Sequence, residues 1–194
     1  MRLLARLTRR FGNTHLAPKQ WTLSDDYEVT GELGKGASSR VFQGVHVLSG
    51  EKVVVKIFKQ SIHPDMIKKE IEVNKRLLEG LPNENRQIKF MHLLGTIYDA
   101  PSKAYTLVYR YYPGVPLKDY IGGLSTEKVI KSAFKLAHTI NYIHSLGYIH
   151  RDIKPNNILI TPKGPRLFDF GLVKTIAPDG IKTNNFGTKC YKVP

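Results

Sequence analysis

The spacing of hydrophobic residues along the chain changes character twice. In the first twenty residues Leu3, Leu4, Leu7 and Phe11 recur at helical intervals among Arg2, Arg6, Arg9, Arg10 and Lys19, with no acidic residue between them. Such a segment is the composition of an organelle-targeting helix or of a basic arm lying on the domain, and the arm is the expectation adopted for residues 1–26. From Tyr27 the pattern becomes that of strands and turns. Tyr27 to Gly34, Arg40 to Val47 and Lys52 to Phe58 are rich in β-branched and aromatic residues and are separated by Gly34-Lys35-Gly36 and Ser49-Gly50, which predicts three antiparallel strands. Pro64-Asp65 opens a predicted helix from Met66 to about Leu78, closed by Gly80 and Pro82. Two more strands, Phe90 to Tyr98 and Tyr105 to Tyr111, flank the turn Ala100-Pro101-Ser102-Lys103.

After Tyr112-Pro113-Gly114 the period lengthens to 3.6. Val129, Ile130, Ala133, Phe134, Ala137, Ile140 and Ile143 mark one face of a long core helix, with Ser125 at its N-cap and Gly147 at its end. Short strands follow around Ile158 to Thr161 and Arg166 to Phe168, then a segment punctuated by Gly and Pro runs to Pro194. The expected fold class is α+β in two lobes: a five-stranded sheet with one helix over 27–112, and a helical second lobe over 113–194.

Composition narrows the setting. The 194 residues hold a single cysteine, Cys190, which excludes an internal disulfide, and no Cys/His cluster has zinc-ligand spacing. An intracellular location, in cytoplasm or nucleus, is the expectation. No apolar run approaches the roughly 20 residues that span a bilayer, so membrane contact is expected to be peripheral at most. Lys and Arg number 30 against 16 Asp and Glu, a net charge of +14, which favours polyanionic partners. A nucleic-acid module is disfavoured, because no basic platform interleaved with aromatics is present.

The candidate chemistry lies at three places. Gly34-Lys35-Gly36-Ala37-Ser38-Ser39-Arg40-Val41 sits between the first two strands, where a glycine-rich hairpin lets backbone amides approach phosphate oxygens. An ordinary hairpin has the same composition. Lys56 ends Val53-Val54-Val55-Lys56, where its ammonium would meet phosphates, and Glu70 on the following helix is its natural ion-pair partner; read alone, the two are an edge-strand lysine and a solvated helix face. The third place is decisive: His150-Arg151-Asp152-Ile153-Lys154-Pro155-Asn156-Asn157, then Asp169-Phe170-Gly171 twelve residues after Asn157. Phosphoryl transfer needs a carboxylate to orient and deprotonate a hydroxyl (Asp152), an amide to ligate a metal (Asn157) and a second carboxylate to bridge metal and phosphates (Asp169).

With these motifs the chain resembles the eukaryotic protein kinases over about residues 27 to 194. Within them it is most similar to the casein kinase II alpha catalytic subunit, in Asn13-Thr14-His15 before Trp21, Asp25-Asp26-Tyr27, Ser39 in place of a third glycine, Glu51 to Ile57, and Lys192. The resemblance implies ATP, with GTP as an alternative donor, and Mg2+ held by Asn157 and Asp169. It implies adenine packed by Val41, Val54 and Leu159, a gatekeeper at Tyr109 and a hinge over Arg110 to Tyr112. It implies Lys154 as the Ser/Thr-type lysine that neutralises the transferring phosphoryl. Protein substrates with Ser or Thr in acidic contexts, and a regulatory subunit of the casein kinase II type, are the implied partners.

The departures carry their own expectations. Phe170 stands where that subunit has Trp, and His63-Pro64-Asp65-Met66-Ile67-Lys68-Lys69 keeps little of its basic cluster, which weakens acidic specificity. Arg151 would pair with a phosphate on the activation segment, with Thr183 as the acceptor, although the resemblance favours independence from such a phosphate. Asn74, four residues after Glu70, replaces an apolar residue and is expected to loosen the active arrangement. Gly187 to Pro194 resembles the approach to the kinase A-P-E motif, cut off before its Glu, so a catalytically weak nucleotide-binding scaffold or a fragment of a longer kinase is the alternative expectation.

Overall fold

A computed structural model of the chain describes residues 21–81, 88–100, 104–120 and 123–176. The chain divides into two compact units, Met1–Ile67 with Leu93–Tyr111, and Lys68–His92 with Tyr112–Pro194.

The first unit is an antiparallel sheet of six strands: β1 (Trp21–Ser24), β2 (Tyr27–Lys35), β3 (Ser39–His46), β4 (Lys52–Phe58), β5 (Leu93–Asp99) and β6 (Ala104–Arg110), in the order β1-β2-β3-β4-β6-β5. The five strands read from the pattern are present within a few residues of their predicted ends. The sixth, β1, lies in the stretch assigned to the basic arm. Its four residues are too short for an alternation to register, and it is fixed by pairing Trp21 with Val29 and Thr22 with Glu28.

Alternation along β3, β4 and β6 sorts their side chains onto two faces. Phe42, Val55 and Val108 are cross-strand partners, and with Val29, Val53 and Ile57 they form one buried cluster. Gly44 lies on that face because nothing larger fits: a Cβ there would sit 2.6 Å from the Glu28 carbonyl oxygen. The β3–β4 turn ends on Gly50 at φ 68, in the left-handed region that favours glycine.

Helix α1 (Pro64–Glu79) starts on Pro64 with Asp65 in its first turn, and the Gly80 amide donates to the Arg76 carbonyl at its end. From Lys68 onward its residues group with the second unit. The reason lies in its packing: Val73 and Leu77 join Phe90, Tyr142, Ile143, Tyr148, Ile158, Leu167 and Phe170 in the main core.

Helix α2 (Thr126–Ser145) has the predicted Ser125 cap, whose Oγ accepts from the Lys128 amide at 3.5 Å, and ends before Gly147 at φ 77. It is the long core helix that its period predicts, but its apolar face is covered only in part. Val129, Ile130 and Phe134 are 49%, 63% and 60% exposed, and burial begins only at Thr139, Tyr142 and Ile143. The C-terminal half alone meets the core. There the Tyr142 hydroxyl donates to the Leu77 carbonyl at 2.7 Å, and Thr139 Oγ1 accepts from the Lys89 amide at 3.0 Å.

Beyond α2, β8 (Tyr148–Ile149) pairs with β11 (Lys174–Thr175), while β7 (Val115–Pro116), β9 (Ile158–Thr161) and β10 (Gly164–Leu167) form a three-stranded sheet. A 3-10 turn, Pro155–Asn157, leads directly into β9. The loop from β8 to β9 and the segment after β10 are therefore held between paired strands.

Candidate active site

Within the first unit, Val54 pairs with Tyr109, and Lys56 pairs with Val41 and Leu107. Partners and i, i+2 neighbours share a face, so Val41, Val54, Lys56 and Tyr109 stand together on the face opposite the Phe42–Val55–Val108 cluster. Lys56 is only 8% exposed, and its Nζ lies 4.9 Å from the Phe58 ring centre. An ammonium so far from solvent calls for an anionic or π partner. Gly34 and Lys35 end β2 against Val41 and Arg40. The tip, Gly36-Ala37-Ser38-Ser39, closes through a Gly36 amide bond to the Ser39 carbonyl at 2.8 Å.

Within the second unit, residues 150–157 form a tightly bonded loop. His150 is 1% exposed. Its Nδ1 accepts from the Asp152 amide at 3.3 Å, and its Nε2 lies 3.1 Å from the Phe168 carbonyl oxygen. This pair of bonds selects the neutral ring protonated on Nε2. Burial pushes the His150 pKa below its ordinary value, against the opposing pull of the Phe168 carbonyl and the Asp169 and Asp152 carboxylates.

The Asp152 carboxylate is oriented from two sides: Oδ2 accepts from Lys154 Nζ at 2.8 Å and from Asn157 Nδ2 at 2.8 Å. Asn157 Nδ2 also donates to the Asp152 carbonyl at 2.9 Å. The Asn157 carbonyl in turn accepts from the Phe168 amide at 3.0 Å, tying the loop to the residue before Asp169. Arg151 and Asp169 adopt φ 63 and 64. Left-handed backbone at such residues costs of order 1–3 kcal/mol and persists where the surroundings over-determine it. For Arg151 one restraint is the bond from its Nε to the Leu172 carbonyl at 2.7 Å.

Glu70, 1% exposed, reaches the same region from α1. A Cβ on Gly171 would meet Glu70 Oε2 at 3.1 Å and Asp169 Oδ1 at 3.4 Å, so a glycine at 171 lets both carboxylates close in. Phe170 is buried between the rings of Phe90, at 6.3 Å edge-on, and His150, at 5.1 Å. Leu159 pairs with Arg166 and Pro116 in the β7–β9–β10 sheet. Tyr112 carries the Arg166 guanidinium 3.5 Å from its ring centre, and Arg166 Nη1 donates to the Phe90 carbonyl at 3.0 Å. Nothing in the sequence points to this role for Arg166 beyond a lone arginine in a short apolar strand. Thr183 and the lysines at 182, 189 and 192 lie outside the described residues, as do Cys190 and the basic segment 1–20.

The donor set suits a hard divalent cation. Both Nδ2 bonds of Asn157 go to Asp152, which turns its carboxamide oxygen the other way, and Asp169 adds a carboxylate. Among the described residues no group of three or more His, Cys, Asp and Glu side chains is placed to hold a metal. Two protein oxygens with the remaining sites filled by phosphate and water is the arrangement typical of magnesium-type sites.

A sheet unit with a buried lysine and a glycine-rich turn, and a second unit whose ordered loop carries an oriented Asp beside Lys and Asn, make up the parts of a phosphotransferase. The model of the family described as "Protein kinase domain" matches residues 27–194, and the chain belongs to that family. It is a protein kinase domain of α+β class, whose family uses ATP, a divalent metal and protein substrates.

Proposed function

We propose that this domain transfers the γ-phosphoryl of Mg-ATP to Ser or Thr hydroxyls of proteins, in the manner of the casein kinase II alpha subunit. The observation that carries the reading is the arrangement at Asp152. One carboxylate oxygen is held by Lys154 and Asn157, which fixes the carboxylate for an incoming hydroxyl. Lys154 stands two residues after Asp152, the Ser/Thr-kinase form of this loop, and its ammonium is placed to balance charge on the phosphoryl as it moves.

Asn157 and Asp169 would hold the magnesium, which neutralises phosphate charge when bound. Asp152 orients the acceptor hydroxyl and takes its proton as the new P–O bond forms and the bond to the leaving ADP oxygen breaks. In the first unit, Lys56 and the amides of the glycine-rich turn bind the phosphates, while Val41, Val54 and Tyr109 pack the base. The net charge of +14 favours acceptors flanked by acidic residues, and a regulatory subunit of the casein kinase II type is the partner this likeness suggests.

A second reading, a nucleotide-binding protein of weak transfer activity, draws on Asn74. It is fully buried on the helix that carries Glu70, and its Oδ1 has no hydrogen-bond partner among the described residues. The test of the first reading is phosphoamino-acid analysis after incubating the chain with Mg-ATP and acidic peptides that differ only in a Ser, Thr or Tyr acceptor. Label on Ser and Thr supports it. Label confined to Tyr would overturn the acceptor assignment, and Mg-ATP binding without label would favour the second reading.

A further inference from the structure

The glycine-rich turn is held from behind by a side chain that neither its motif nor the family match singles out. Lys59, just past the end of β4, donates through Nζ to the carbonyl oxygens of Gly36 at 2.8 Å and Ala37 at 2.6 Å. Its backbone amide donates to the Ser38 carbonyl at 2.9 Å. Three successive carbonyls are thus turned toward one residue, where an extended strand would alternate them. The described peptide bonds are trans, and in a trans peptide the N–H points opposite its C=O. Fixing the Gly36 and Ala37 carbonyls on Lys59 therefore directs the Ala37 and Ser38 amides the other way. Neither amide donates a hydrogen bond to a described residue, and Ala37 is exposed. Two consecutive N–H groups aimed in one direction form an anion-binding nest, and a cation on the carbonyl side polarises both as donors.

We infer that Lys59 is a positioning residue: its ammonium pre-organises the Ala37 and Ser38 amides as donors to the nucleotide phosphates. This rests on the nucleotide reading above and deepens it. A flexible glycine-containing tip would otherwise lose entropy on binding, and the clamp settles that cost during folding. Lys59 touches no substrate in this account; it acts through the backbone, on phosphates and not on the base.

The test compares Mg-ATP and adenosine binding to the full chain, by calorimetry, in the wild type, Lys59→Met and Lys59→Arg. For Lys59→Met the expected result is ATP affinity about tenfold weaker with adenosine affinity unchanged. Lys59→Arg, which keeps a charged donor able to reach both carbonyls, should recover most of the loss. A merely structural lysine would weaken ATP and adenosine together, and that outcome, or an unchanged ATP-to-adenosine ratio in Lys59→Met, overturns the clamp. Wild-type chain that is folded but binds neither ligand would overturn the nucleotide reading itself, so the two failures are told apart.

Discussion

At Asn74 one side chain sets local stability against whatever use the site makes of it. Its Nδ2 donates to the Glu70 carbonyl at 2.8 Å, while its Oδ1 is buried without a hydrogen bond to any described residue. An orphaned buried acceptor costs about 1–3 kcal/mol, and the Glu70 carbonyl sits inside a helix that already supplies it with a donor. Asn74→Leu should therefore raise the unfolding free energy by about 1 kcal/mol, read as a shift in denaturation midpoint at constant m-value. A loss of stability would mean that the Asn74 oxygen has a partner in solution. Lys154→Ala should lower kcat by about 10²-fold with a smaller change in KM for ATP, because its ammonium contacts Asp152 and is proposed to act on the moving phosphoryl, not in nucleotide binding; steady-state kinetics separate the two effects. Residue by residue, Asp152, Asn157 and Asp169 stand out in the sequence because type and spacing together suggest a chemistry for them, and the fold brings Asn157 onto the Asp152 carboxylate. Asn74 stood out only through the resemblance to kinases, which place an apolar residue at that position. Lys59 and Arg166 did not stand out, since each acts on groups far away in sequence: the turn at 36–37, and the backbone at Phe90 and ring of Tyr112.

Among the elements, the strands of the first unit were readable because alternation survives in β2 to β6, whereas β1 depends on pairing alone. The long helix shows how far periodicity reaches. Its 3.6 period is genuine, but a period reveals which face is apolar and not whether anything covers it. Val129, Ile130 and Phe134 lie on the uncovered part. Close packing of the sheet gives a firm expectation at Gly44, where Gly44→Ala should destabilise by about 1–3 kcal/mol, because the clash is with the Glu28 backbone, which cannot swing aside. A neutral Gly44→Ala in chemical denaturation would contradict the register of β2 and β3.

The loop between β8 and β9 yields a pH dependence. His150 has a folded pKa pushed below its unfolded value near 6.5, so below about pH 6.5 the unfolded chain takes up a proton that the folded chain refuses. Its contribution is fully present above that value and is lost as pH falls toward the folded pKa, with a slope of at most about 1.4 kcal/mol per pH unit. Denaturation between pH 7.5 and 5.5 should show this decline in the wild type and a flatter profile in His150→Asn. Equal slopes would mean that His150 is accessible to protons in the folded state.

Among the described residues, one hydrophobic cluster lies on the sheet and another joins α1, α2 and the 150–170 segment, so each unit has its own core. An amphipathic helix does not say which neighbour its stripe meets; in α1, Val73 and Leu77 meet Phe90 and Phe170. The phosphotransferase chemistry was legible, because its residues cluster in two short segments whose order in the chain is itself diagnostic.

The central claim, that Asp152 does chemistry at a nucleotide-binding site and does not merely bind there, is tested most directly by measuring phosphoryl transfer and Mg-ATP affinity on the same samples of wild type and Asp152→Asn. The expected result is transfer to a Ser/Thr peptide that falls about 10²–10⁴-fold in the variant while Mg-ATP affinity stays within about threefold, since Asn keeps the shape and the link to Lys154 but loses the base. Transfer that survives the substitution, or that falls only in step with affinity, would contradict the account.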